Sequence, residues 1–202
     1  GSYFDLHTPD GVYRNQFFNQ LGMHNLSNAL VALAMASKSG LLVEDLTKSL
    51  ASFPGIERRL QVLINEKNRV LIDDYAHHPT EIKAVYETLK LSFPADEKCV
   101  VFQPHLFSRT QDFMTDFAVV LSLFDRVLLL DIYPAREMPI EGVSSGVLKE
   151  MISGPSVELI AKKELANRLS LVDERIIVLL GAGDIGIEVE GIKHKLLYDE
   201  AL

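Results

Sequence analysis

Five short apolar runs, at residues 70–72, 100–102, 127–130, 157–160 and 176–180, are separated by stretches whose apolar residues recur at helical spacing. Runs that are apolar at consecutive positions suit strands covered on both faces, as in a parallel sheet held between two helix layers. Ile82, Val85, Tyr86 and Leu89 mark one helix face between the first two runs, and Phe113, Phe117, Val120, Leu121 and Phe124 mark a second. Ser144-Ser145 ahead of Val147-Leu148 predicts a capped third helix, and residues 163–171 a fourth. Alternation of this kind predicts right-handed βαβ units in an α/β fold, with a mostly parallel sheet and helices on both faces.

The first fifty residues follow another rule. Residues 3–22 read as a hairpin turning at Pro9-Asp10-Gly11. Residues 24–39 form an Ala- and Leu-rich helix ended by Gly40, and residues 43–52 a second helix. Phe53-Pro54-Gly55 breaks the pattern, which divides the chain into segments 1–53 and 54–202. A hairpin with two helices buries too little apolar surface to stand alone, so the first segment is expected to be the tail of a preceding domain. The opening Gly1-Ser2 has the look of a cloning scar, with the natural chain expected to begin further upstream.

With 202 residues, 48% hydrophobic and 24% charged, the chain has the composition of a soluble globular protein. The net charge of −8 argues against nucleic acid as a partner, and no apolar run is long enough to cross a membrane. A single cysteine, Cys99, within an apolar run excludes an internal disulfide and suits a reducing, cytoplasmic setting.

Three polar clusters could carry chemistry. Asp73-Asp74-Tyr75-Ala76-His77-His78-Pro79 and Gln103-Pro104-His105-Leu106-Phe107-Ser108-Arg109-Thr110 each follow a strand and precede a helix. Ligands of open α/β sheets bind beyond the carboxyl ends of the strands, so two adjacent strands are expected to present these clusters at one edge. Arg109 can clamp a carboxylate, and His105 can serve as donor or base. The plainer alternatives are strand-end turns with Asp or Ser108 as helix caps. The third cluster, His24-Asn25-Leu26-Ser27-Asn28, places two amides on one helix face, a donor–acceptor pair suited to adenine. On spacing alone, capping by Asn25 is the favoured reading. Gly181-Ala182-Gly183-Asp184-Ile185-Gly186 has the glycine spacing of a dinucleotide site, yet only sixteen residues follow it, too few for a further βαβ unit. A tight turn under a close-packed helix is the better reading. No Gly-x-x-x-x-Gly-Lys-Ser/Thr phosphate loop occurs.

Taken together and in order, these segments resemble the Mur ligases. Residues 22–29, 53–59, 73–81, 102–110, 131–137 and 181–185 match the family's successive motifs, and the long forms at 53–59 and 73–81 are similar to its alanine-adding branch. The resemblance implies a three-domain, cytoplasmic, ATP- and Mg²⁺-dependent amide ligase of peptidoglycan synthesis. Its partners would be UDP-N-acetylmuramate, L-alanine and ATP, joined through an acyl phosphate. This chain would supply the end of the central ATPase domain and a Rossmann-like C-terminal domain, inactive alone without the phosphate loop. By the same resemblance His24, Asn25, Asn28, Arg59 and Asp74 would serve the nucleotide. Tyr75, His77, His105 and Arg109 would form the alanine side, with His77, His105 and Arg109 as the catalytic set. Relatives often carry a second arginine where this chain has Leu106. The rival readings are an NAD(P)-dependent oxidoreductase or other stand-alone nucleotide module, and a metal hydrolase built on Asp74, His77 and His78.

Overall fold

The structure, a computed structural model, describes residues 1–198 and divides into two compact units, Gly1–Ile56 and Glu57–Leu202. The first unit holds the expected hairpin, β1 (Ser2–Thr8) and β2 (Gly11–Phe18), followed by α1 (Met23–Lys38) and α2 (Val43–Ser52). Gly40, with φ 95°, ends the first helix in a conformation that costs glycine nothing. Phe18, Leu26 and Ala29 form its small core, with Phe4, Leu30 and Leu50 packed around them.

The second unit is built on six strands: β3 (Gln61–Asn65), β4 (Val70–Asp74), β5 (Lys98–Phe102), β6 (Arg126–Leu129), β7 (Ser156–Leu159) and β8 (Ile176–Leu180). The sheet order is β3-β4-β8-β5-β6-β7, parallel except for β3, which runs antiparallel to β4 at one edge. β3 has no counterpart among the apolar runs, because Gln61 and Asn65 flank only three apolar residues, as befits a half-exposed edge strand.

Helices α3 (Pro79–Ser92), α4 (Phe107–Asp112), α5 (Met114–Leu121), α6 (Ser145–Met151), α7 (Lys162–Leu169) and α8 (Ile185–Tyr198) complete the unit. Alternate strand positions serve opposite faces. Leu71, Cys99, Val101, Leu128, Ile177 and Leu179 join Leu165 and Leu169 of α7 and Ile185, Val189 and Ile192 of α8 in one core. On the other face Phe102 meets Phe117 of α5 at 5.2 Å between ring centroids, and α5 packs on α3 and α6. The helix expected on residues 113–124 is α5, and a short helix, α4, precedes it; the two meet at Phe113, whose φ of −115° and ψ of 18° fall outside the helical range. Among the described residues no helix is long and apolar enough to cross a membrane.

Candidate functional site

All strands from β4 to β8 point the same way, so their carboxyl ends share one edge of the sheet, where the polar clusters lie. The clusters do not come from neighbouring strands, however. β8 pairs with both β4 and β5 and separates them, a crossover that the local pattern of each segment does not encode. That arrangement brings the Gly181 turn between the two clusters.

The loop after β4 is organised by its own side chains. Asp74 is buried, and its carboxylate accepts from the amides of Leu60 at 2.8 Å and Ala76 at 2.7 Å. It ties the 58–60 loop to the strand end rather than capping a helix. Capping falls to His78, whose Nδ1 accepts from the Thr80 amide while Glu81 accepts from the His78 amide at 3.1 Å, with Pro79 in the first turn. His77 Nδ1 lies 2.9 Å from the Tyr75 carbonyl. A carbonyl only accepts, so Nδ1 carries the proton and Nε2 of the neutral ring is an acceptor.

Asp73, 2% exposed, sits 3.3 Å from Arg58 Nε. Its pKa is pushed up to about 6, chiefly by burial, against the pull of the Arg58 charge. Arg58 also donates to the Gly181 carbonyl and lies over the Tyr75 ring, with Arg59 more loosely over the same ring and exposed.

The loop after β5 is stitched to the loop after β6. The Leu106 amide donates to the Tyr133 carbonyl at 2.9 Å and the Tyr133 amide to the Pro104 carbonyl at 2.8 Å. The His105 ring stacks on Tyr133 at 5.6 Å and meets the His77 ring edge-on at 6.2 Å. Arg109 Nη1 reaches to 3.4 Å from His105 Nδ1. Burial, followed by the charges of Arg109 and His77, holds the His105 pKa below its usual value. Tyr75, His77, His105 and Arg109 thus form one cluster from two strand ends. Ser108 does not cap α4, since helix φ/ψ begin after Leu106 and no side chain of α4 itself caps it. Glu137 does so from the neighbouring loop, accepting from the Ser108 amide at 2.9 Å and from its hydroxyl.

The glycine turn is filled by protein. A Cβ on Gly181 would meet the Gln103 carbonyl at 2.8 Å, and one on Gly183 the Gln103 amide oxygen at 2.5 Å. The Ile185 amide at the start of α8, which a pyrophosphate would require, already donates to Gln103 Oε1 at 2.9 Å. Gln103 also donates to Asp184, which is paired with Lys162. A pocket of about 190 Å³ opens beside them, walled in part by Tyr133 and Asp131. Gln103, Arg58, Tyr133 and Glu137 carry this edge, although their spacing singles none of them out. The one available signal was a glutamine at the end of a wholly buried strand, since a buried amide needs partners.

In the first unit Asn25 is not the cap of α1. Gly22 occupies that position, and the Asn25 side-chain Nδ2 donates to the Leu21 carbonyl at 2.9 Å. His24 and Asn28 are exposed one turn apart. Asp74, His77 and His78 do not converge as metal ligands, and among the described residues no group of three or more His, Cys, Asp or Glu side chains could hold an ion.

Residues 58–183 match the family model described as Mur ligase, glutamate ligase domain. The chain is 52% identical over 200 residues to the UDP-N-acetylmuramate–L-alanine ligase of Christiangramia forsetii, covering 98% of this chain and 44% of that protein. It is 50% identical to the enzyme of the same name from Flavobacterium psychrophilum, over 96% of this chain and 43% of the relative. The crystal structure of UDP-N-acetylmuramate-alanine ligase from Thermotoga maritima superposes with a TM-score of 0.73 at 25% identity, covering 93% of this chain and 40% of that one. The chain therefore spans under half the length of these relatives.

Proposed function

The chain belongs to the Mur ligase family, and from that premise we propose that it is the alanine-binding side of an ATP-dependent, cytoplasmic UDP-N-acetylmuramate–L-alanine ligase in peptidoglycan synthesis. The observation that carries this reading is the cluster of Tyr75, His77, His105 and Arg109 at the carboxyl edge of the sheet. An amino acid offers a carboxylate and an ammonium. Arg109, always charged and fork-shaped, takes the carboxylate. The amine must lose a proton before it can attack an acyl phosphate, and His77 Nε2 is the acceptor its local hydrogen bond leaves available. His105, kept neutral by burial and by the neighbouring Arg109 charge, gives up its contact with Arg109 when the carboxylate arrives and becomes a second acceptor.

His24, Asn25 and Asn28 are proposed to serve the adenine of ATP, and Arg59 is proposed as a further nucleotide-binding residue. Asp74 would act by fixing the loop that carries Arg59. Mg²⁺, which the family implies, has no ligand set among the described residues, so no step is assigned to it. The oxidoreductase alternative is disfavoured by the filled glycine turn.

The test is Arg109→Ala in the complete ligase. Charge-assisted hydrogen bonds are worth about 1.5–3 kcal/mol, so the KM for L-alanine should rise roughly ten- to hundred-fold while the KM for ATP stays within about two-fold. Unchanged alanine kinetics would put the substrate elsewhere.

A further inference from the structure

We propose that Glu137 is a positioning residue for the amino-acid clamp, acting through Ser108 on the turn that carries Arg109. The inference rests on the reading of Arg109 given above.

The start of α4 lacks a cap of its own. Leu106, at its N-cap position, has φ 74°, a left-handed conformation that a leucine adopts only when its surroundings hold it there. One hold is the pair of backbone bonds to Tyr133. Glu137 supplies the other, with one carboxylate oxygen on the Ser108 amide and the second on the Ser108 hydroxyl. These two bonds hold the Glu137 carboxyl below its ordinary pKa, so it is ionised and a strong acceptor at neutral pH. Glu137 is itself fixed by a tight turn, its amide donating to the Pro134 carbonyl at 2.9 Å across Ala135, which has φ 51°. Arg109 follows Ser108 directly, and its guanidinium leans on His105, whose ring is stacked on Tyr133.

The 131–137 loop therefore does not touch the clamp's charge. It sets the position and direction of the short helix from which that charge projects.

Two measurements test this. In the present chain, Glu137→Ala should speed hydrogen exchange at the Ser108 amide by about ten-fold or more while amides of β5 keep their protection. In the complete ligase, Glu137→Ala should raise the KM for L-alanine roughly ten-fold, the lower end of what losing a group that orients a ligand costs at metal sites. The KM for ATP and kcat should stay within about two-fold. Glu137→Gln, which keeps an acceptor for the Ser108 amide, should recover most of the loss, and Ser108→Ala should show a smaller one. Combined with Arg109→Ala, Glu137→Ala should add nothing further, because both act on one interaction. Additive effects in that double variant, an equal rise in the KM for ATP, or unchanged exchange at Ser108 would overturn the proposal. If exchange at Ser108 changes but Arg109→Ala leaves alanine kinetics alone, the fault lies in the assignment of the alanine site, and the proposed role falls with it.

Discussion

The two units of this chain reach order by different routes. In the second, β4, β5 and β8 are buried along their whole length, and the sheet is covered by apolar helices on both sides. In the first, β1 alternates between half-buried and exposed positions, four hydrophobic residues (Phe18, Leu26, Ala29 and Leu33) are buried among those described, and Val31 and Met35 of α1 are 61% and 68% exposed. Buried apolar area is the main favourable term in folding, so the second unit carries its own stability and the first has little to spare.

The largest contrast should come from core truncation. Phe102→Ala removes a fully buried ring packed on Phe117 and should cost about 3–5 kcal/mol in denaturant unfolding. Phe4→Ala, at a partly buried site in the first unit, should cost clearly less. Equal losses would mean that the hairpin is stabilised far more than its core implies.

A second contrast lies in pH. The folded-state pKa of Asp73, about 6, lies above the ordinary value of 3.8, so the folded unit binds a proton more tightly than the unfolded chain. Its contribution to stability is therefore full below about pH 4 and is lost as pH rises through about 6, a difference on the order of 3 kcal/mol. Asp73→Asn should flatten the stability profile across that window. A profile identical to that of the parent protein would show that the Arg58 charge fully offsets the burial of Asp73.

Smaller effects should follow at a helix end and on the surface. Ser144 accepts from the Val147 amide at 3.2 Å, and Ser144→Ala should cost about 1 kcal/mol by calorimetry. Val31→Lys in α1 should change stability by no more than about 0.5 kcal/mol. A larger loss at Val31 would show that this face is already covered in solution.

Much of the second unit was legible along the chain. Consecutive apolar residues identified β4, β5, β6 and β8, and the 3.6-residue period of Ile82, Val85 and Leu89 gave α3, because burial on two faces or on one stripe leaves a local signature. The two polar clusters were legible in the same way, since each stands where a strand gives way to a helix, whereas the grouping of Tyr75, His77, His105 and Arg109 as one site came from the resemblance to the Mur ligases. What chain-local pattern could not supply was strand order. The placement of β8 between β4 and β5 depends on which strands pair across more than seventy residues, and no short period records that. The partners of the site were hidden for the same reason. Glu137 reaches Ser108 across 29 residues, Gln103 reaches Asp184 across 81, and Arg58 reaches Gly181 across 123. Residue type and local period settle which segments form strands and helices and which side chains can do chemistry. Which of those side chains meet, and which are consumed in holding the others in place, is fixed by long-range pairing and by the need of every buried polar group for a partner.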